Sequence, residues 1–298
     1  MILEKTARAS LTAFELDVGD ELHFRMSNGQ VRRIRLERAH AAIDHTTLKK
    51  VKEPEFGAHT VLRMHARILV DGHAIDLVRW VGNQKSFYEP WEFFGLRLWF
   101  DGVAALFDHL NENHGACKPR KAARFAVQEA GARICPVLLH PWCPLPRGGL
   151  RIEDCYEGSD CWMGPYHGAD AHGGLDINHP AGTPIWTPVP VQRHGLFNSL
   201  EKGDNNNRWR GFCEWGDGSV WVLQVHHLLR LRVPEERPLA AGTLLADGAG
   251  VWNGSHEHSH FAFKVTEPGC EESDAIPLDP WILFWQMYRD RAAALSHR

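Results

Sequence analysis

Two stretches of alternating apolar and polar residues constrain most strongly what the first third of this chain can become. LTAFELDVGDELHFRMSNGQVRRIRLE and TVLRMHARILVDGHAIDLVRWVG each alternate around a tight-turn dipeptide, Asn28-Gly29 and Asp71-Gly72. A period of two is the spacing of side chains on one face of a strand, and Asn-Gly or Asp-Gly supplies the positive φ of a two-residue hairpin turn. The pattern predicts hairpins and, over the first hundred residues, a small antiparallel β domain.

After this region the period changes. DGVAALFDHLNE and KPRKAARFAVQEA (118–130) carry helical spacing, and CPVLLHPWCPLPRGG (135–149) is rich in Pro and Gly. The predicted organisation is an N-terminal β domain with a helical connector over 1–145 and a second β-rich domain over 146–298. In the second part short strand-like runs return (IWTPVPV, SVWVLQVHHLLRL, GTLLA, HFAFKV), separated by Gly, Asn and Asp clusters. Pro280 opens a predicted C-terminal helix that packs its Trp and Leu side on the domain. The expected class is mainly β with few helices.

Composition excludes several functions. With 298 residues, 44% hydrophobic and 23% charged, the chain can bury a real core. A net charge of -4 offers no basic field for phosphates, so no nucleic-acid partner is expected. No stretch approaches the roughly 20 apolar residues of a spanning helix, and the start, MILEKTARASLTAFELDVGD, lacks the basic-then-apolar order of a signal peptide. Seven cysteines are not a disulfide scaffold at this length; Cys155 and Cys161 are near enough in sequence to bridge or to stay buried thiols.

The 19 histidines carry more information. His172 and Asp176 lie four apart, and His258 and His260 lie two apart on a predicted strand, which puts both imidazoles on one face. Two His and one Asp supply three ligands to a tetrahedral zinc and leave one position for water, the arrangement of a catalytic rather than a structural site. Neighbours compete for these roles. His167 with Asp170 is a second imidazole–carboxylate pair, His256 is in phase with His258 and His260, and alternation places His226 on the opposite strand face from His227. His226 and His179 are read as structural, and Trp186, Trp221 and Trp252 as core before substrate-stacking residues.

At this point the chain resembles the lysostaphin-type zinc endopeptidases of peptidoglycan. HGGLDINHPAGTPIWTPV (172–189) matches that family's His-x-x-x-Asp motif and Gly-Thr-Pro strand, WVLQVHHLL matches its strand ending in His-Leu with His227 in the His position, and AAGTLLADGAGVWNGSHEHSHFAFKV matches its Gly-rich approach to a His-x-His-Phe strand. The resemblance covers about 150–265. It implies a β-rich peptidase domain, one Zn2+ per chain held by His172, Asp176 and His260, catalytic roles for His227 and His258, a peptidoglycan peptide as substrate, and work in the cell envelope or outside the cell. Either His227 or His258 can be the general base, the other donating to the developing oxyanion. Three departures bear on substrate preference: Ser259 between the last two histidines, a long loop from His194 to Arg210 containing GDNNNRWRG, and a different spacing after Gly216-Asp217-Gly218. A non-catalytic wall-binding module of the same fold, and a zinc peptidase with another peptide substrate, are the competing readings.

Overall fold

The computed structural model describes residues 1–198, 207–235, 237–248 and 257–296. The chain forms two compact units whose segments interleave, one from Met1–Ile134 with Ser159–Gly173, the other from Cys135–Gly158 with Gly174–Arg298. Both are built mainly of strands, as the sequence predicts.

In the first unit both hairpins form at the predicted turns. Glu21–Arg25 pairs antiparallel with Val31–Thr46 around Asn28-Gly29, and Thr60–Val70 pairs with His73–Val81 around Asp71-Gly72. With Ile2–Thr6 added in parallel, they make a five-stranded sheet. Its alternation is that of a one-sided sheet, with Leu62, Met64, Ala66, Ile68 and Val70 buried along one strand.

The predicted helical connector is where the structure departs from the sequence reading. Within DGVAALFDHLNE the first three residues end a strand, Leu96–Val103, and a short 3-10 turn, Ala104–Asp108, follows, while 118–130 holds a strand, Ala123–Glu129. That strand lies between Thr12–Leu16 and Leu96–Val103 in a four-stranded antiparallel sheet. It is buried on both faces, so it shows no alternation, and a short apolar run of this kind is indistinguishable from a helix by period alone.

Burial on both faces encloses charge. Arg124 Nε donates to Asp101 Oδ2 at 2.6 Å with both side chains fully buried, Trp162 Nε1 donates to the same oxygen at 3.3 Å, and Arg79 donates to the Asp101 carbonyl. Glu15, 3.7 Å from Arg124, has its pKa raised by burial against the pull of that guanidinium. Removing one member of a buried pair leaves the other uncompensated. Asp101→Ala is therefore expected to cost about 3–5 kcal/mol of stability in denaturant unfolding; a loss below about 1 kcal/mol would show that Arg124 finds other compensation.

In the second unit the main sheet runs in the order Leu175–Asn178, His258–Thr266, Val220–Leu228, Asn207–Glu214, Arg193–Asn198, with every pairing antiparallel. Ile276–Leu278 also pairs with the central strand, and Pro184–Trp186, Leu244–Asp247 and Arg230–Leu231 form a small second sheet. The C-terminal helix, Trp281–Ser296, starts after Pro280 as predicted, with the Trp281 amide donating to Asp279 Oδ1. Its first turns bury Ile282, Phe284 and Trp285, and Phe284 packs against Phe261 and Trp142.

Candidate metal centre

The strand His258–Thr266 has one face of Phe261, Phe263 and Val265, all fully buried. Phe261 contacts Trp142 and Phe263 contacts Trp221, so this face is anchored in an aromatic core. His258 and His260, in the opposite phase, therefore point the other way. Asp176 is directly opposite His260 in the neighbouring strand, and on the other side His226 is also directly opposite His260. Directly opposed residues share a face and have Cβ atoms about 4.5–5.5 Å apart, so Asp176, His260 and His226 form one row across three strands.

The Asp176 carboxylate is shared between two imidazoles: Oδ1 lies 2.9 Å from His260 Nδ1 and Oδ2 3.4 Å from His258 Nε2. His227 joins them through a bulge. Trp209 pairs with Val225 and Asn207 with Leu228, so the strand carries one extra residue there, and His227 takes φ +61. Its ring comes within 4.6 Å of that of His258 between centroids, and the donor atoms of Asp176, His227 and His258 all lie within 4.8 Å of one another. His226 is therefore on the face of His260, contrary to the expectation from alternation, because the positive φ lets two consecutive imidazoles face one region.

Of the five residues predicted for the site, Asp176, His227, His258 and His260 are together in this unit. His172 is the penultimate residue of the first unit. There it is buried, its Nδ1 2.9 Å from Asp160 Oδ1, and it forms an isolated antiparallel bridge to Gly115. The two glycines that follow are required by close approach: a Cβ on Gly173 would meet the Gly115 carbonyl oxygen at 1.8 Å, and one on Gly174 would meet His260 Cε1 at 2.2 Å. Asp160, twelve residues before His172, has no signal in the sequence that ties it to the site.

Other candidates sort differently. Asp170 accepts from Asn111 and Asn113 and lies 3.5 Å from His114 Nε2, while His167 packs its ring on Tyr166. His179 is hydrogen-bonded to Ser259 Oγ at 2.9 Å, on the strand face opposite His258 and His260. Trp221 is a core residue, half-buried Trp186 meets His140 edge-on, and Cys155 and Cys161 are buried thiols. Trp252, His256 and the centre of the loop between His194 and Arg210 lie outside the described residues.

Burial decides the protonation of these rings. His227 is pushed down to about 3 by desolvation, with Asp176 pulling the other way, and His226 lies well below its ordinary value through burial and its neighbour His260. Both are neutral near pH 7 and carry a lone pair, the form that ligates metal or accepts a proton. His226 Nε2 and His227 Nδ1 are shielded from solvent with no hydrogen-bond partner among the described residues. A buried carboxylate shared by imidazoles, beside unpartnered ring nitrogens, fits a zinc ion, whose protein ligands are drawn from His, Asp and Cys.

No family model and no curated protein matches the sequence. Among solved structures, the catalytic domain of lysostaphin from Staphylococcus simulans is similar at 18% identity over 47% of this chain and 86% of that one, with a TM-score of 0.29. A lysostaphin solution structure is similar at 19% identity and TM-score 0.31, and the match spans 44% of that chain's length. Other matches cover more: an M23 peptidase from Pseudomonas aeruginosa matches over 93% of both chains at 13% identity and TM-score 0.32, and a zinc-containing peptidase from Vibrio cholerae over 91% of this chain and 84% of that one at 12% and 0.30. At TM-scores near 0.3 the overlap is loose, and what the site can do follows from its own residues.

The depressed pKa values have a consequence for acid stability. His179, at about 4, and His227 bind a proton less readily folded than unfolded. Their stabilising contribution is therefore full above about pH 6.5 and is lost as pH falls toward the folded values. Metal-free protein is expected to unfold at lower denaturant at about pH 5 than at about pH 7, by at most about 2 kcal/mol for each of the two rings. An unchanged midpoint would mean that neither ring is buried in the neutral form.

Proposed function

We propose that this chain is a zinc-dependent endopeptidase that hydrolyses peptide bonds of peptidoglycan stem or cross-bridge peptides. The observation that carries the hydrolase reading is the convergence of Asp176, His227, His258 and His260 from three neighbouring strands, with a carboxylate and imidazoles in contact. The wall substrate rests on the motif resemblance in 172–189, 221–229 and 240–265.

Asp176 and His260 would hold the ion, with His172, four residues upstream of Asp176, as the third ligand. Bound zinc supplies an acidified water and a Lewis acid for the scissile carbonyl. His227 and His258 divide the remaining work. One takes the proton from the attacking water and returns it to the departing amine, and the other donates a hydrogen bond to the oxyanion as it forms. A separation of 4.6 Å between their ring centroids supports this shared role at one small reacting group. The neutral state of His227 suits a proton acceptor, while Tyr156, 4.3 Å from His258 between centroids, backs that ring. The Asp176 carboxylate offsets positive charge that develops on either imidazole. On this reading the enzyme works in the cell envelope or outside the cell; among the described residues no helix is long and apolar enough to cross a membrane.

Purified protein is expected to contain about one zinc per chain. Digestion of isolated peptidoglycan is expected to release fragments with new amino termini by mass spectrometry, to stop on chelation, and to fall by at least about 100-fold in His260→Ala. A zinc-free preparation whose wall digestion ignores both chelator and His260→Ala would refute the metallopeptidase. Zinc-loaded protein that releases no fragments from any wall would favour the binding module instead.

A further inference from the structure

The ligand pattern accounts for His260 but not for the ring stacked on it. His226 and His260 have centroids 4.3 Å apart and planes 13° from parallel. Behind His226, Phe197 packs edge-on at 5.6 Å, and the Arg210 guanidinium lies 5.4 Å from the Phe197 centroid. A column of flat groups thus leads from the half-exposed Phe197 inward to His260.

The stacking geometry indicates what His226 does. An imidazole nitrogen directs its lone pair in the plane of its own ring, so an ion bound in the plane of His260 lies well out of the plane of His226. The two nearly parallel rings are badly placed to ligate one ion. What His260 lacks is a rotameric preference: the torsion that turns an imidazole about its Cβ–Cγ bond has broad wells, so packing must set the direction of its nitrogens. Three neighbours do so: the Asp176 carboxylate at Nδ1, the His226 ring against the flat face, and the bare backbone of Gly174, where any side chain would collide with the imidazole.

We propose that His226 is a positioning residue for the metal ligand His260, acting through the flat face of its ring and not through a nitrogen. The proposal rests on the zinc reading above. Residues around a metal ligand that fix its ring orientation typically change metal affinity about 10–100-fold when removed. His226 is available for this role because its backbone lies opposite His260 and because the bulge at His227 leaves both rings on the site.

The test uses the full chain, prepared metal-free and titrated with zinc against a chromogenic chelator, for the parent and for His226→Ala, His226→Phe and His260→Ala. The cobalt absorption band of each protein is recorded as a second readout of ligand geometry, and metal-free thermal midpoints report folding. His226→Ala is expected to bind zinc about 10–100-fold more weakly and to show an altered cobalt band. His226→Phe keeps a flat ring and removes a buried nitrogen that has no partner among the described residues, so it is expected to retain the parent's affinity, band and midpoint. Parent-like affinity in His226→Ala, or loss in a folded His226→Phe equal to that in His226→Ala, would overturn the positioning role. If His226→Ala does not fold, His226→Phe alone decides: retention supports the role and loss overturns it. Failure of the parent itself to bind zinc would instead overturn the metal reading, and a loss confined to His260→Ala would leave that reading standing.

Discussion

The register of three strands is the constraint on which the site depends. Asp176, His260 and His226 face one another because Leu175–Asn178 and Val220–Leu228 flank His258–Thr266 in one particular alignment. A slip of one residue would send every side chain of a strand to the other face. The alternate residues Phe261, Phe263 and Val265 prevent that slip, since they are fully buried and Phe261 and Phe263 are locked against Trp142, Phe284 and Trp221. The aromatic core of the second unit and its polar row are two faces of the same strand, so packing on one side aligns the chemistry on the other.

The site gathers groups that burial makes neutral. Imidazoles enclosed with other imidazoles lose their proton, and His227 and His226 are held in the lone-pair form although the Asp176 carboxylate pulls the other way for both. The first unit shows the contrasting solution, an Asp101–Arg124 ion pair fully buried inside the sheet. One unit encloses an ion pair; the other encloses imidazoles that burial holds neutral.

Much of this was legible in the chain itself. Both hairpins turn where Asn-Gly and Asp-Gly stand, because few other dipeptides accept their backbone angles, and Pro280 opens the terminal helix because a helix start does not need its missing N–H. The strand Ala123–Glu129 was not legible, because a strand buried on both faces loses its period of two and KPRKAARFAVQEA then reads as a helix. His226 was misread for a related reason. Alternation assumes regular backbone, and the φ of +61 at His227 breaks it at the very residue on which the inference depends.

The sequence by itself determined the kinds of donor atoms, their spacing within each segment and the turns that make strands of those segments, because these follow from local backbone geometry and side-chain period. Only the tertiary structure decided which imidazoles meet. Cross-strand register brings residues 176, 226 and 260 opposite one another, a bulge turns His227 to the same side, and Gly174 makes room for the His260 ring. Those contacts join residues dozens of positions apart, and their alignment is set by the packing of the opposite, aromatic face, which no local pattern records.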